Sequence, residues 1–157
     1  AISDQQQLYL LEFVDRRGLE TEIAVLRSRL NAVIIPQQTA IIQQLKQELT
    51  EYFAGNRTVF TIPIALIGSD FQKAVWQQLL TMKIGETYSY KQLAQRIGNE
   101  KATRAVANAN GKNQLALIVP CHRVINSDGS IGGYGGGVER KKWLLALEKQ
   151  VQPTVKI

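Results

Sequence analysis

Apolar residues recur along this chain in two rhythms. Over residues 5–14, Leu8 and Leu10 alternate with Tyr9, Leu11 and Phe13, so both faces of an extended segment are filled and a strand is predicted. Residues 20–31 place Ile23, Leu26 and Leu30 on one face of a short amphipathic helix, and Pro36 closes the segment. From about 38 to 53, Ile41, Ile42, Leu45, Leu49 and Phe53 recur at three- and four-residue spacing, with Gly55 as a C-terminal cap. Residues 58–64 read as a further strand, and Ile67-Gly68 as a short linker.

The second half is more helical. Ser69 with Gln72 forms a capping-box pattern, followed by a stripe of Phe71, Val75, Leu79 and Met82. Gly85 breaks the chain, and Ser89 with Gln92 repeats the pattern ahead of a helix of about 90–97 that buries Leu93 and Ile97. Gly98 ends it, and a third helix runs over about 100–110, which fits a helix-turn-helix. Ala102, Ala105, Val106 and Ala109 form its apolar stripe. At about 100° per residue, Arg104 lies roughly 150° from the centre of that stripe and points outward, with Ala107 and Gly111 near the same smooth face. The run Leu115 to Val119 reads as a buried strand leading into Pro120-Cys121-His122-Arg123. Asn126 to Gly129 is a turn, Gly132 to Gly137 a glycine-rich loop around Tyr134, and about 138–150 a last helix with Glu148 on its inward side.

Charge divides the chain more sharply than hydrophobicity does. Residues 1–68 carry a balance of −1 and residues 69–157 one of +7, within the net +6 of all 157 residues. A basic half points to a polyanionic partner, most simply nucleic acid. No apolar run approaches the ~20 residues that cross a bilayer, and residues 1–4 have no signal-peptide character. The single cysteine and single histidine exclude an internal disulfide and a cysteine–histidine zinc cluster, and a free thiol suits a reducing, intracellular setting.

Those two residues are adjacent, as Cys121-His122. An imidazole can deprotonate a thiol or stabilise the thiolate. In an extended strand, however, neighbours point to opposite faces, so the pair needs a turn here or a bridging water. Glu148, as a buried carboxylate, needs a partner, which is either His122 or an arginine.

The surrounding motifs carry a resemblance. Ile118-Val119-Pro120-Cys121-His122-Arg123-Val124-Ile125 is similar to the active-site signature of the O6-alkylguanine-DNA alkyltransferases. Phe71 to Trp76, Gly85 to Tyr90, Ala102 to Val106, Asn113, Gly133-Tyr134 and Trp143-Leu144-Leu145 with Glu148 resemble that family in order and spacing. The likeness is strong over residues 69–150 and loose over 1–68. It implies an α+β protein. A small α/β, RNase H-like domain would span 1–68, mainly structural, with its first strand missing or trimmed. A mainly helical DNA-binding and alkyl-transfer domain would span 69–157.

The resemblance also implies an activity: single-use transfer of an alkyl group from O6 of guanine, and O4 of thymine, in duplex DNA to Cys121. By the same resemblance, Glu148 orients His122, which deprotonates Cys121 through a water, Tyr90 donates a proton to the guanine, and Asn113 supports the turn. Arg104 would fill the gap left by a base extruded through the minor groove, with Ser89, Tyr90, Ala105 and Arg123 also on the DNA. Val124, Tyr134, Gly135 and Gly136 would form the substrate pocket, main-chain groups of Cys121, Val124 and Gly135 holding the guanine edge. A monomer without metal or organic cofactor is implied. Gln114 and Glu100 stand where the family commonly has proline, and Gly135 replaces a side chain that some members place near O6, which either widens the pocket or loosens it. Three other readings stay open: a non-catalytic sensor of alkylated DNA, the C-terminal half of a regulator, and a cysteine hydrolase using Cys121, His122 and Glu148.

Overall fold

The computed structural model describes residues 1–151, so the end of the expected 69–157 unit, residues 152–157, lies outside the described residues. The chain opens with a hairpin of β1 (Ile2–Ser3) and β2 (Leu8–Leu10), antiparallel and paired Ile2 to Leu10 and Ser3 to Leu8. Asp4 turns it by accepting the backbone N–H groups of Gln6 and Gln7 at 2.7 and 2.8 Å. Strand β2 is shorter than the expected 5–14 because its hydrogen bonds pass to three partners in turn. Leu8 bridges to Ile64, and Leu11, just beyond β2, bridges to Leu115.

Helix α1 (Leu19–Leu30) and helix α2 (Ala40–Phe53) follow the sequence periodicity, and Thr39 caps α2 by accepting the Ile42 N–H. The strand expected at 58–64 does not form. The buried carboxylate of Glu48 takes the N–H of Thr61 at 3.0 Å, so a side chain satisfies a donor that a neighbouring strand would have used. Pro63 has no N–H to offer, and only Ile64 makes a bridge.

Helix α3 (Asp70–Leu79) has the full Ser69/Gln72 capping box. Val75, Trp76 and Leu79 are buried, while Phe71, expected in the stripe, is exposed. The chain then makes the short strand β3 (Tyr88–Ser89), helix α4 (Tyr90–Arg96) with its own Ser89/Gln92 box, a 3-10 turn (Glu100–Ala102) and helix α5 (Thr103–Gly111). Gly98 sits at φ 78°, the left-handed conformation that lets α4 stop and the chain re-enter α5. Val106, Ala109 and Asn110 are the buried face of α5, and Ala105, expected inside, is exposed. The stripe is thus rotated slightly from the one expected, and Arg104 lies more squarely on the outer face.

The segment 115–119 is not a strand. It is a tight, wholly buried turn with local bonds from Ile118 N to Ala116 O at 2.9 Å and from Val119 N to Leu115 O at 3.0 Å, and Leu117 stands at φ 71°. A segment buried on every side shows a continuous apolar run whether extended or folded on itself. A 3-10 turn (Cys121–Arg123), strand β4 (Val124–Ile125) and helix α6 (Val138–Val151) complete the described chain. One core crosses both halves, with Leu8, Ile41, Leu45 and Ile62 in the same cluster as Val75, Trp76, Leu93, Val106 and Val119. Among the described residues, no helix is long and apolar enough to cross a membrane.

Candidate active site

Cys121 begins the 3-10 turn that follows the buried run, with 8% of its surface exposed. Asn113 ties that turn together. Its Nδ2 donates to Val119 O at 2.8 Å and to Cys121 Sγ at 3.2 Å, and its Oδ1 accepts the Leu115 N–H at 2.9 Å. One amide therefore fixes both the approach to the cysteine and the thiol itself. Burial pushes the Cys121 thiol above its ordinary value, and the Asn113 N–H only partly opposes it. At rest the group is a protonated thiol that needs a base.

The next residue carries an imidazole. His122 is fully buried, and its Nε2 lies 2.7 Å from Glu148 Oε1. Burial holds its pKa below the ordinary imidazole value, against the pull of Glu148, so the ring is neutral near pH 7. Glu148 is ionised. Burial alone would raise its pKa, but hydrogen bonds from His122 and Arg123 outweigh that and bring it down to about 2. An ionised carboxylate only accepts, so Nε2 carries the imidazole proton and Nδ1 presents its lone pair. That Nδ1 is buried and has no hydrogen-bond partner. A turn is present at Cys121–Arg123, but the thiol bonds Asn113 and not the imidazole.

Glu148 has more partners than the sequence suggested. Arg123 grips it with Nε to Oε2 at 2.8 Å and Nη2 to Oε1 at 3.0 Å, and donates Nη1 to Met82 O at 2.8 Å. Tyr52 donates its hydroxyl to Oε1 at 2.7 Å. The choice between histidine and arginine was therefore a false one, since Glu148 holds both. Arg123, expected on the DNA, is only 6% exposed and faces the interior, because an ionised carboxylate buried beside it demands a cation.

A cavity of about 210 Å³ opens beside Cys121, walled by Tyr90, Asn113, Tyr134 and Gly135 together with Ala107 and Asn110 of α5. Strands β3 and β4 pair in parallel, Tyr88 with Val124 and Ser89 with Ile125, and this register brings Tyr90 to the thiol side. Burial, and then the neighbouring Cys121, raise the Tyr90 pKa, so its hydroxyl keeps its proton. Val124 and Gly136, expected in the pocket, do not line this cavity. Val124 is buried in the core with its carbonyl held by Lys141 Nζ at 2.6 Å, and Gly136 packs on Phe13. Lys141 also holds Gly133 O at 3.1 Å, tying the glycine loop to β4, and burial lowers its pKa to about 8. Ser89 serves as the cap of α4, and Arg104 and Ala105 share the exposed side of α5. No His/Cys/Asp/Glu group suited to a metal ion occurs among the described residues.

The N-terminal half, read as mainly structural, supplies part of this wall. Leu11 N donates to Gln114 O and Ala116 N to Leu11 O, both at 2.9 Å, so the chain after β2 lies along the segment that leads to Cys121. Glu12 and Arg16 consequently line the cavity, and Phe13 packs edge-on to Tyr134 with ring centroids 6.2 Å apart. The charged run Glu12 to Arg17 inside an otherwise apolar stretch was the available signal. Tyr52 carried none, being one of several apolar-face residues of α2.

Comparison with known proteins shows the family. Residues 70–150 match the family model described as 6-O-methylguanine DNA methyltransferase, DNA binding domain, and residues 2–66 match that of its ribonuclease-like domain. The methylated-DNA–protein-cysteine methyltransferase of Mycobacterium bovis is 53% identical over 106 residues, 68% of this chain and 64% of that protein. The chain belongs to the 6-O-methylguanine DNA methyltransferase family. The relative of the same name from Shigella flexneri is 49% identical over 105 residues, 66% of this chain and 61% of its own length. Each match thus spans less than two thirds of the relative. A crystal structure of Mycobacterium tuberculosis OGT in complex with DNA superposes with a TM-score of 0.81 at 40% identity, covering 98% of this chain and 87% of that one.

The two positions where the family commonly has proline are absorbed locally. Gln114 accepts the Leu11 N–H through its carbonyl, which proline would also allow. Glu100 opens the 3-10 turn before α5 and accepts a hydrogen bond from Gln95 at 3.0 Å. Neither touches the cavity wall.

Proposed function

We propose that this protein repairs duplex DNA by moving the alkyl group of O6-alkylguanine, and of O4-alkylthymine, to Cys121, once per molecule. The observation that carries this reading is the thiol in a small cavity beside a neutral, buried histidine whose Nδ1 lone pair is unused. The exposed side of α5, with Arg104 and small residues, approaches the minor groove, and the basic half supplies sequence-independent attraction to phosphate. The damaged nucleotide leaves the stack at a cost of a few kcal/mol, and Arg104 takes its place.

Within the cavity, a water bridges Cys121 Sγ to His122 Nδ1 and carries the thiol proton to the ring. Glu148, fixed by Arg123 and Tyr52, stabilises the imidazolium that forms. The thiolate forms a bond to the alkyl carbon as the carbon–O6 bond breaks, and the electron pair stays on the guanine. Tyr90 donates its proton to the base and regains one from the imidazolium through water. The thiol proton therefore ends on guanine, and the thioether on Cys121 is stable. That stability makes each molecule act once, and the protein works as a monomer without a cofactor.

The test is the mass of the protein after mixing with duplex DNA carrying O6-methylguanine. One added methyl per molecule, on the peptide holding Cys121 and absent from Cys121→Ser, is the expected result. Tight binding to the lesion with no added mass would overturn transfer in favour of damage sensing. Sustained hydrolysis of an ester would favour the hydrolase.

A further inference from the structure

Arg16 reaches the cavity from the other half of the chain and is held there on several sides. Its Nη1 donates to Glu12 at 2.5 Å, its Nη2 donates to Gly111 O at 2.9 Å, and Nε lies 3.6 Å from Glu22. The Glu12 side chain is 1% exposed and that of Arg16 is 17% exposed, so this is an ion pair set into the wall and not a surface pair. An arginine held by a carboxylate on one edge and a carbonyl on the other is fixed in plane. Gly135, on the same cavity wall, lies directly against the Arg16 guanidinium. A Cβ built there would stand 2.8 Å from Arg16 Cζ and 2.8 Å from Nη1, so a side chain at 135 requires the Arg16 guanidinium to shift and its hold on Glu12 and Gly111 to loosen. The space that a side chain at 135 would fill is therefore occupied by the Arg16 guanidinium.

The geometry points to Arg16 as a specificity-determining residue: anchored by Glu12, it forms part of the wall of the cavity that holds Cys121 and limits the size of the alkyl group admitted. This rests on the alkyl-transfer reading above and adds to it. Gly135 by itself would leave a wide pocket. With Arg16 in place the cavity holds about 210 Å³, and Arg16 and Glu12 make part of its wall charged. Arg16 also joins Gly111, the end of α5, to the segment before α1, so the helix that would meet DNA and the wall of the pocket share one side chain. Arg16 and Gly135 are consequently alternatives. A larger residue at 135 displaces the Arg16 guanidinium, and a smaller residue at 16 relieves that clash.

Single-turnover transfer from duplex DNA bearing O6-methylguanine or O6-benzylguanine tests this, read as the ratio of the two rates within each protein. Because the ratio is internal, loss of folded protein does not distort it. R16A is expected to raise the benzyl-to-methyl ratio by about tenfold or more, the scale on which a pocket wall discriminates. R16K keeps the charge beside Glu12 but lacks the planar fork, and is expected to move the ratio the same way by less. G135S alone is expected to slow both substrates, and R16A/G135S to recover rate over G135S and return the ratio toward the parent value. Unchanged ratios in R16A and R16K, or strictly independent effects in the double variant, would overturn the assignment while leaving transfer itself intact. A parent protein that accepts no alkyl group would instead remove the reading on which the assignment rests.

Discussion

Glu148 shows how much one residue depends on partners that lie far away in the chain. Its carboxylate is buried and ionised, with a pKa brought from the ordinary 4.5 to about 2. A carboxylate whose folded value is depressed adds stability that is complete above its unfolded value and disappears as pH falls toward the folded one. Two and a half units correspond to roughly 3 kcal/mol, lost between about pH 4.5 and 2. His122 acts in the same direction. Its folded value is below 6.5, so the unfolded chain takes up a proton first as the solution is acidified. The melting temperature is therefore expected to fall from about pH 6.5 downward, and steeply below about 4.5. Tyr52→Phe removes one donor to the ionised carboxylate, which raises the Glu148 value. That variant should melt lower than the parent near neutrality, by an amount in line with the ~1.5–3 kcal/mol of a charged hydrogen bond, and lose less on acidification. Parallel pH profiles for the two proteins would show that Tyr52 does not act on Glu148. The inward placement of Glu148 was legible from helical period. Its tyrosine partner, 96 positions away, was not, because nothing local marks a core tyrosine whose hydroxyl has a distant acceptor.

At the scale of elements, what the sequence encodes locally is what could be read from it. Both capping boxes are complete in four residues, and both exist. They differ in what they hold. Ser69 caps α3 away from the cavity, whereas Ser89 caps α4 at Tyr90, which lines it. Ser69→Ala and Ser89→Ala should each cost about 1 kcal/mol of stability, or roughly 2–4 °C in melting temperature. Only Ser89→Ala should also slow alkyl transfer, since freeing the first turn of α4 releases Tyr90, the proposed proton donor. Equal transfer rates in the two variants, measured against their melting points, would place Tyr90 outside the chemistry. The run 115–119 was misread for the opposite reason. Its apolar composition reports burial and not conformation, and the left-handed Leu117 is imposed by contacts from elsewhere, including the bridge between Leu11 and Leu115. The 58–64 strand failed in the same way, because Glu48 competes for its backbone from another element.

The whole molecule has an uneven division of labour: one half carries the charge and the thiol, but neither half completes the site alone. Residues 69–157 hold the +7 balance, Cys121, His122 and Glu148. Residues 1–68 supply Tyr52 to Glu148, Glu12 and Arg16 to the cavity wall, and Leu8, Ile41, Leu45 and Ile62 to the shared core. A fragment of residues 69–151 would expose the apolar surface that those four side chains cover. It would also leave Ala116 N and Gln114 O without the backbone partner at Leu11. Losing several large aliphatic contacts at once, at about 2–5 kcal/mol each by analogy with truncation to alanine, exceeds the few kcal/mol available to a domain of this size. The fragment is therefore expected to lose cooperative melting and alkyl transfer together. Its attachment to undamaged duplex should persist, falling steeply with salt, because phosphate neutralisation needs only the lysines and arginines. Cooperative melting near the full-length temperature, with methyl transfer retained, would mean that the N-terminal half is dispensable. Retained DNA attachment with no transfer is the outcome expected under the proposed function, in which charge brings the chain to DNA and the contact between halves makes the cysteine usable.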